Sequence, residues 1–446
     1  MLKEIKKPNR DHARRVLQCL VVAIRPLDVK ELAEVLAVDF DDSEGIPKLK
    51  TNWRWEDEEQ ALLTSCSSLV TTVDTKKSRI VQFSHFSVKE YLTSARLATS
   101  IGDVPRFHIV LEPAHTILAQ ACMGVLLQPE DGVKEDGIRK MSPLAGYAAR
   151  HWATHAQFER VSLSLRKAME HLFDVDRPHF SAWLQLYDID IYRGARSSSF
   201  YLFAVYVKSG ATPLYYAALC GFEDLVEHLA VKYPEHVDSI GGRYVTPLFA
   251  ALAGRHFQTA KLLYHNGTDM NVRGDDNQTA LFFATCYGDL EMVQVLLDYK
   301  ADPNARDCRA SNLMCDASGG TTFDVDRLLR EPVVFSINSG RTPLIVAVLN
   351  RRIDIVRMLL EHGANVGSQD NAGSTALHMA ALASKVRPGD KKSVDMIRML
   401  LEHGADVGAK DFHGMTAFQP VSDRGYNAAI AFFRALMSEY DDKGVL

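Results

Sequence analysis

Long hydrophobic runs are absent from this 446-residue chain, and so is a large excess of one charge. The longest apolar run near the N-terminus covers nine residues, 16–24, and includes Gln18, whereas a membrane span needs about 20. The 51 basic and 56 acidic residues leave a net charge of −5, which does not favour general binding to nucleic acid. The sequence therefore predicts neither a membrane-spanning protein nor a general nucleic-acid binder.

Cysteine is sparse and scattered. The seven cysteines include no Cys-x-x-Cys pair, a pattern typical of reduced thiols in a cytosolic or nuclear protein. The basic residues that precede the first apolar run do not indicate a signal peptide, because acidic residues interrupt them and the run ends in Arg25-Pro-Leu-Asp28. We expect a cytoplasmic protein, with a nuclear location as the alternative.

Catalytic motifs are also missing. No Gly-x-x-x-x-Gly-Lys-Ser/Thr sequence could cradle a phosphate, and no Gly-x-Ser-x-Gly sequence could present a nucleophilic serine. His151 and His155 lie one helical turn apart, but Trp152 stands where a zinc protease needs Glu. The sequence predicts a protein that is not an enzyme, with no cofactor and no metal.

A short motif recurs through the second half of the chain. Thr212, Thr246, Thr279, Thr342, Thr375 and Thr416 are each followed by Pro or Ala and then by Leu or Phe, and a weaker Ser311-Asn-Leu lies among them. Thr can cap a helix whose first position tolerates Pro, and a period near 33 residues indicates units that must stack to bury their apolar faces. The pattern resembles the ankyrin repeat, with about seven copies over residues 207–446.

The fourth copy, about residues 307–337, departs from this pattern. Asn312 replaces Pro, and Asp316 occupies a position that calls for a small core residue. We expect this copy to be degenerate and to divide the repeats into two blocks of three.

The first half of the chain lacks this repeated motif and has a different pattern of predicted helices and strands. Residues 1–104 predict three helices, a β-hairpin and a further helix, which is the order of a winged helix. The pattern Ser87-Val-Lys-Glu90 predicts the cap of the last helix, which continues through Leu97. Residues 105–206 predict a helical spacer that ends in a hinge rich in Ser and Arg. The fold class is therefore mostly α: a winged-helix module, a helical spacer and an ankyrin solenoid.

Several segments of the first half carry a closer resemblance. Glu31-Leu-Ala-Glu-Val-Leu36, Leu63-Thr-Ser-Cys-Ser-Ser-Leu69 and His85-Phe-Ser-Val-Lys-Glu-Tyr-Leu92 resemble the winged-helix domain of the GPI inositol-deacylase type. That domain follows the NACHT module in fungal ankyrin-repeat proteins of the STAND, NLR-like class. The resemblance implies the sensor and regulatory arm of a signalling NTPase whose NTPase module is missing from this sequence, either as the tail of a longer design or as a stand-alone form.

The same resemblance implies a role for one histidine. His85, in Phe83-Ser-His85-Phe-Ser87, matches a winged-helix histidine that contacts bound nucleotide in NACHT proteins. It would sense nucleotide only together with an NTPase module, for example a NACHT NTPase supplied in trans.

The ankyrin surface is the predicted binding site for a protein partner. The candidates occupy fingertip and inner-helix positions of a concave face: Arg243, Asp275, Asp276, Gln278, Tyr287, Arg341, Asn350, Asn371, His413 and Arg424.

Two alternative functions stay open. One is a free-standing adaptor that competes with a full-length relative. The other, less favoured, is a DNA-associated regulator that uses Lys76, Lys77 and Arg79 of the wing, against the repulsion of Glu56-Asp-Glu-Glu59.

Overall fold

The computed structural model describes residues 2–40, 45–76, 78–128, 142–192, 210–273, 278–307, 340–386 and 391–418. Tertiary contacts divide the chain into two compact units, Met1–Pro234 and Glu235–Leu446. The domain boundaries predicted near residues 104 and 206 stay predictions, and residue 206 lies outside the described residues.

The N-terminal part of the first unit contains short helices and two small antiparallel sheets. In chain order the elements are α1 (Arg10–Val22), α2 (Val29–Leu36), β1 (Val38–Asp39), β2 (Lys48–Leu49), α3 (Glu58–Cys66), β3 (Val70–Asp74), β4 (Arg79–Phe83), α4 (Phe86–Leu92) and α5 (Ala95–Ala98). In the β3–β4 hairpin Val70 lies opposite Phe83 and Asp74 lies opposite Arg79. An isolated bridge from Asp28 to Ile80 adds a third strand position to this hairpin.

Local sequence explains where these helices begin. Asp28 and Glu31 form a capping box at α2, in which each side chain bonds the other residue's backbone N–H. The helix predicted to continue from Ser87 to Leu97 is instead broken into α4 and α5, because Ser94 caps a second helix. The N-cap of α4 is His85, not Ser87 as the sequence pattern suggested.

A long buried helix joins the winged-helix elements to the spacer. Helix α6 (Leu111–Leu126) packs against α1, α7 (Ala145–Ala156) and α8 (Val161–Leu172). Its buried residues include Leu118, Cys122 and Val125. The winged-helix elements and the spacer therefore share one core, although they are separate in sequence.

The first ankyrin repeat, α11 (Pro213–Cys220) and α12 (Glu223–Lys232), packs on the spacer. The Trp152 ring of α7 lies 5.4 Å from those of Trp183 and Phe222, measured between centroids. Trp183 belongs to α9 (His179–Leu186), which is followed by α10 (Ile189–Tyr192). The hydroxyl of Tyr215 donates to Asp190 at 2.9 Å. The spacer thus covers the end of a repeat that would otherwise expose its apolar face.

The second unit contains helix pairs in an ankyrin arrangement. The helices are α13 (Pro247–Ala253), α14 (Phe257–His265), α15 (Ala280–Tyr287), α16 (Leu290–Asp298), α17 (Pro343–Leu349), α18 (Ile353–Glu361), α19 (Ala376–Val386) and α20 (Lys391–Glu402). The hydroxyls of Thr246, Thr279 and Thr342 each accept the backbone N–H three residues on, as N-caps do. The predicted fold class, a mostly helical protein with an ankyrin solenoid, is confirmed.

The repeats on either side of residues 308–339 are direct neighbours. Helix α15 packs on α17, and α16 packs on α18. Asn304 Oδ1 accepts the backbone N–H of Asn365 at 2.6 Å, and the same kind of bond joins Asn271 to Asp302 one step earlier, at 2.7 Å. The expectation that a fourth copy separates two blocks of three is therefore wrong, because the stack continues across this point.

The described residues that flank 308–339 belong to one fingertip turn. The backbone N–H of Asp307 donates to the carbonyl of Arg341 at 2.9 Å. In the next repeat Asp370 makes the same bond to Ser374 at 2.9 Å, four residues on. The predicted degenerate repeat lies almost wholly outside the described residues. The residues that flank it, Asp307 and Arg341, are joined by the same hydrogen bond that joins the ends of the next fingertip turn.

Among the described residues, no helix is both long enough and apolar enough to cross a bilayer.

Candidate binding surfaces

The fingertip turns of the last two described repeats are held from within by aspartates. Asp370 Oδ1 accepts the backbone N–H groups of Ala372 and Ser374, each at 2.9 Å. Asp411 Oδ1 accepts those of His413 and Met415, at 2.9 and 2.8 Å. These bonds hold the backbone of each turn in place.

Two of the predicted partner-binding residues lie on these tips. Asn371 and His413 are both exposed. Asn371 directly follows Asp370, and His413 lies two residues after Asp411. Both lie on tips of neighbouring repeats, but His413 corresponds to Ala372, and the residue that corresponds to Asn371 is Phe412.

Three other predicted residues are partly buried. Arg243 lies over the ring of Tyr244, with its guanidinium carbon 5.6 Å from the ring centroid. Tyr287 packs against Phe283, with ring centroids 4.3 Å apart. Arg341 has a side chain 18% exposed, and its Nε lies 3.9 Å from Oδ2 of the buried Asp370. These side chains offer only part of their surface to a partner.

Gln278 and Asn350 are not open positions. They are 6% and 9% exposed, because Gln278 immediately precedes the N-cap of α15 and Asn350 is the C-cap of α17, where the stack covers helix ends. The prediction that they line an open face is corrected here. Asp275, Asp276 and Arg424 lie outside the described residues.

Sequence reasoning missed two apolar residues on the same repeats. Phe412, beside His413 at the last described fingertip, is 74% exposed, and Leu382 on α19 is 50% exposed. The repeat spacing that located His413 also places Phe412 at a tip, so the signal was present in the sequence. Leu382 could not be separated by pattern from the buried leucines of neighbouring helices.

His85 is exposed and caps α4. Its Nδ1 accepts the backbone N–H of Ser87 at 3.2 Å and lies 2.7 Å from the Ser87 hydroxyl. Its ring stacks beside Phe86, with centroids 4.3 Å apart, and Phe86 is 72% exposed. His85 therefore has a local structural role and is also accessible to a second molecule.

Arg79, in the β3–β4 hairpin that forms the wing, is paired with two carboxylates. This guanidinium bonds Glu59 of α3 at 2.5 Å and Asp74 of β3 at 2.7 Å. Hydrogen bonds from Arg79 lower the pKa values of both carboxyl groups. Lys76 is exposed, and Lys77 lies outside the described residues. The arrangement works against DNA binding, because the cation best placed for a phosphate already has two partners.

His155, one of the two histidines of α7, is engaged by neighbouring side chains. His155 is fully buried, with Nδ1 2.8 Å from Nδ1 of His115 and Nε2 2.8 Å from the hydroxyl of Tyr147. Burial lowers the pKa of His155 to about 3, with a smaller contribution from its histidine neighbours. Over the described residues, no group of three His, Cys, Asp or Glu is arranged to hold a metal ion.

Known families match both halves of the chain. Residues 214–307 and 313–411 match ankyrin repeats, and residues 2–102 match the winged-helix domain of GPI inositol-deacylase. The second ankyrin match extends into residues 308–339, while the contacts of the described helices still make the flanking repeats direct neighbours.

Individual relatives match only part of the chain, at about 30% identity. The azaphilone pigments biosynthesis cluster protein L of Monascus ruber is 30% identical over 273 residues, which are 58% of this chain and 56% of that protein. The B-cell lymphoma 3 protein homolog of Mus musculus is 32% identical over 176 residues, 38% of this chain and 32% of that protein. The chain thus spans little more than half of the first relative and a third of the second.

Solved structures include an ankyrin repeat domain from Acinetobacter baumannii, with 23% identity and a TM-score of 0.37 over 49% of this chain and 93% of that one. The family matches and the geometry lead to the same assignment. The chain contains ankyrin repeats and a winged-helix domain of the GPI inositol-deacylase type.

Proposed function

We propose that this chain is a non-catalytic interaction protein whose ankyrin surface binds a protein partner. Ankyrin repeats indicate a role in protein–protein interaction. The observation that carries the proposal is the continuous stack from α13 to α20, whose fingertips are fixed by aspartates and expose Asn371, Phe412 and His413. Turns that are held in place before binding lose little conformational entropy on binding, which favours affinity.

The surface has the composition of an interaction site. Phe412 supplies a large exposed apolar side chain, and aromatic residues are enriched among those that dominate binding energy. Asn371 and His413 flank it with hydrogen-bonding groups. A partner that covers this tip would bury an aromatic anchor within a polar rim.

The test uses partner capture with matched variants. The double substitution Asn371→Ala and Phe412→Ala removes exposed tip side chains, and we expect it to reduce capture of the specific partner at least about tenfold. The control is Arg357→Ala with His403→Ala. Both residues are exposed; Arg357 lies on the outer helix α18, and His403 directly follows the outer helix α20. Equal loss in both variants, or loss in neither, would reject the fingertips as the binding surface.

We further propose that this partner binding serves a NACHT-type signalling NTPase, with the chain as its regulatory arm. The match of residues 2–102 to the GPI inositol-deacylase winged helix supports the proposal. So does the exposed pair His85 and Phe86, which could meet an NTPase module. An adaptor that competes with a full-length relative would use the same surface.

A NACHT NTPase module added in trans tests this second step. We expect it to bind the chain in the ADP state, and Phe86→Asp to weaken that binding at least about tenfold, because a charge would enter an apolar contact. Ile101→Asp is the control, since Ile101 is 95% exposed elsewhere in the same domain. If NTPase modules of related proteins do not bind, the NACHT proposal fails while the ankyrin proposal stands.

A further inference from the structure

A cleft of about 560 Å³ lies in the first unit, where α1 meets α6 and α8. Its volume is within the range of small-molecule sites, about 300–1,000 Å³. The lining combines charges of both signs, an amide and apolar surface, from Asp11, Arg14, Arg15 and Gln18 of α1 and from Glu112 and Ile117 of α6.

The residues of α1 reach the cleft because of helical spacing. Three residues follow Asp11 by three, four and seven positions: Arg14, Arg15 and Gln18. This spacing places all four on one face of the helix. Helix α1 packs on α6, and residues of both helices line the cleft. The sequence could not show that α6, almost a hundred residues further on, forms the opposite wall.

Gln18 is the most informative residue of the cleft. It is 3% exposed, and this small exposed area opens into the cleft that it lines. Its amide makes no hydrogen bond to the part of the chain that the structure describes. This amide is therefore available to a polar group of a ligand in the cleft.

The charged groups around Gln18 are close to one another but not paired. Within the described residues, neither Arg14, Asp11 nor Glu112 has an oppositely charged group within 4.0 Å. Arg15 is held in place over the ring of Phe40, with 4.9 Å from the guanidinium carbon to the ring centroid. The cleft therefore offers two cations and two anions to whatever enters it.

This combination selects the kind of ligand. A simple anion would pair with Arg14 but would also face Asp11 and Glu112, which repel it. A molecule with one charge of each sign would pair with both sets, and Ile117 would contact its apolar part. We infer that the cleft binds a small zwitterion of the amino-acid or short-peptide class, with its carboxylate toward Arg14 and Gln18 and its ammonium group toward Asp11 and Glu112.

The experiment is calorimetric titration of the full chain with L-alanyl-L-alanine. We expect saturable binding of one molecule per chain. Arg14→Gln should weaken this binding at least about tenfold, because it removes a charge-assisted hydrogen bond. Gln18→Leu should also weaken the binding at least about tenfold. Because Gln18 is buried, its substitution also changes the packing of the core, whereas substitution of the exposed Arg14 does not.

The controls test the charge pattern. Arg96→Gln, on the exposed surface of α5, should leave the affinity unchanged. N-acetyl-alanyl-alanine and alanyl-alanine amide, which each lack one charge, should bind at least about tenfold more weakly than the dipeptide. The inference is overturned if the dipeptide does not bind, if Arg14→Gln binds it as the unaltered chain does, or if the acetylated analogue binds equally well.

Discussion

His85 combines a capping role with an exposed position, and substitutions can separate the two. The imidazole accepts the Ser87 N–H at the start of α4. Asn is an efficient N-cap and Ala is not, so we expect His85→Ala to lower the free energy of unfolding by about 0.5–2 kcal/mol and His85→Asn to restore most of it. Urea unfolding of the three proteins measures this difference. Equal stability of the Ala variant and the unaltered chain would contradict the capping role.

The same pair tests nucleotide sensing. Asn keeps the cap but lacks the imidazole, so a loss of NTPase binding in His85→Asn, with stability retained, would indicate a direct contact of the ring. Recovery of both properties in His85→Asn would mean that His85 acts only through α4.

His155 should make the stability of the first unit depend on pH. Its pKa in the folded protein is about 3, below the ordinary value of 6.5, so the unfolded chain binds the proton more readily between these values. Stability therefore falls as the pH drops below about 6.5, by at most about 1.4 kcal/mol per pH unit for this one proton. Burial also lowers the pKa of His115, which adds to the effect in the same direction.

Unfolding at pH 7 and pH 5 measures this dependence. His155→Gln should be less stable at pH 7, because it disturbs the bonds to Tyr147 and His115, but its stability should fall less between the two pH values. His108→Gln, a half-buried histidine outside this cluster, serves as the control. An unchanged pH dependence in His155→Gln would show that other groups cause it.

At the scale of elements, the helix starts were the most predictable feature. The Thr-Pro-Leu motif at Thr246 and Thr342 forms the N-caps that it predicts, and the capping box of α2 involves only residues 28 and 31. Such signals are local, so few other residues influence them. The repeat spacing did not predict that the repeats flanking residues 308–339 pack directly on each other, because a motif within one segment does not show which segments touch.

The finger closed by Asp307 and Arg341 gives a prediction for this element. Replacing residues 308–339 by Asn-Ala, the two residues that occupy the next tip at 371 and 372, should leave the melting temperature unchanged or raise it. A shorter connection between Asp307 and Gly340 costs less closure entropy, about 0.6 kcal/mol for each halving of length, and the α15–α17 contact is retained. Differential scanning calorimetry measures the result.

The control removes a stacked repeat of nearly equal length. Deletion of residues 340–372, which contain α17 and α18, removes helices that pack on both neighbours and should lower the melting temperature by several degrees or more. If the loop replacement is as destabilising as this deletion, residues 308–339 contribute to the stack.

At the scale of the whole molecule, the two compact units should unfold separately. The four tryptophans, at positions 53, 55, 152 and 183, all belong to the unit Met1–Pro234. We expect tryptophan fluorescence to follow this unit alone, whereas far-UV circular dichroism follows the helices of both units. The two signals should give different midpoints in urea, because coincident transitions are the mark of a single cooperative unit.

A substitution can assign the transitions. Trp152→Ala removes a fully buried side chain from the aromatic cluster of the spacer and should destabilise the first unit by about 3–5 kcal/mol. The fluorescence of the remaining tryptophans should then change at lower urea, while the later part of the dichroism curve stays in place. Coincident midpoints in the unaltered chain would contradict two independent units.

The sequence by itself determined the fold class, the helix starts of the repeats and the exposed tips Asn371 and His413, because each depends on local patterns that recur at a fixed period. The tertiary structure decided which repeats touch, that Gln278 and Asn350 are covered, that Arg79 is neutralised and that Gln18 opens into a charged cleft. These properties depend on contacts between residues far apart in the chain, and a pattern within one segment carries no information about what packs against it.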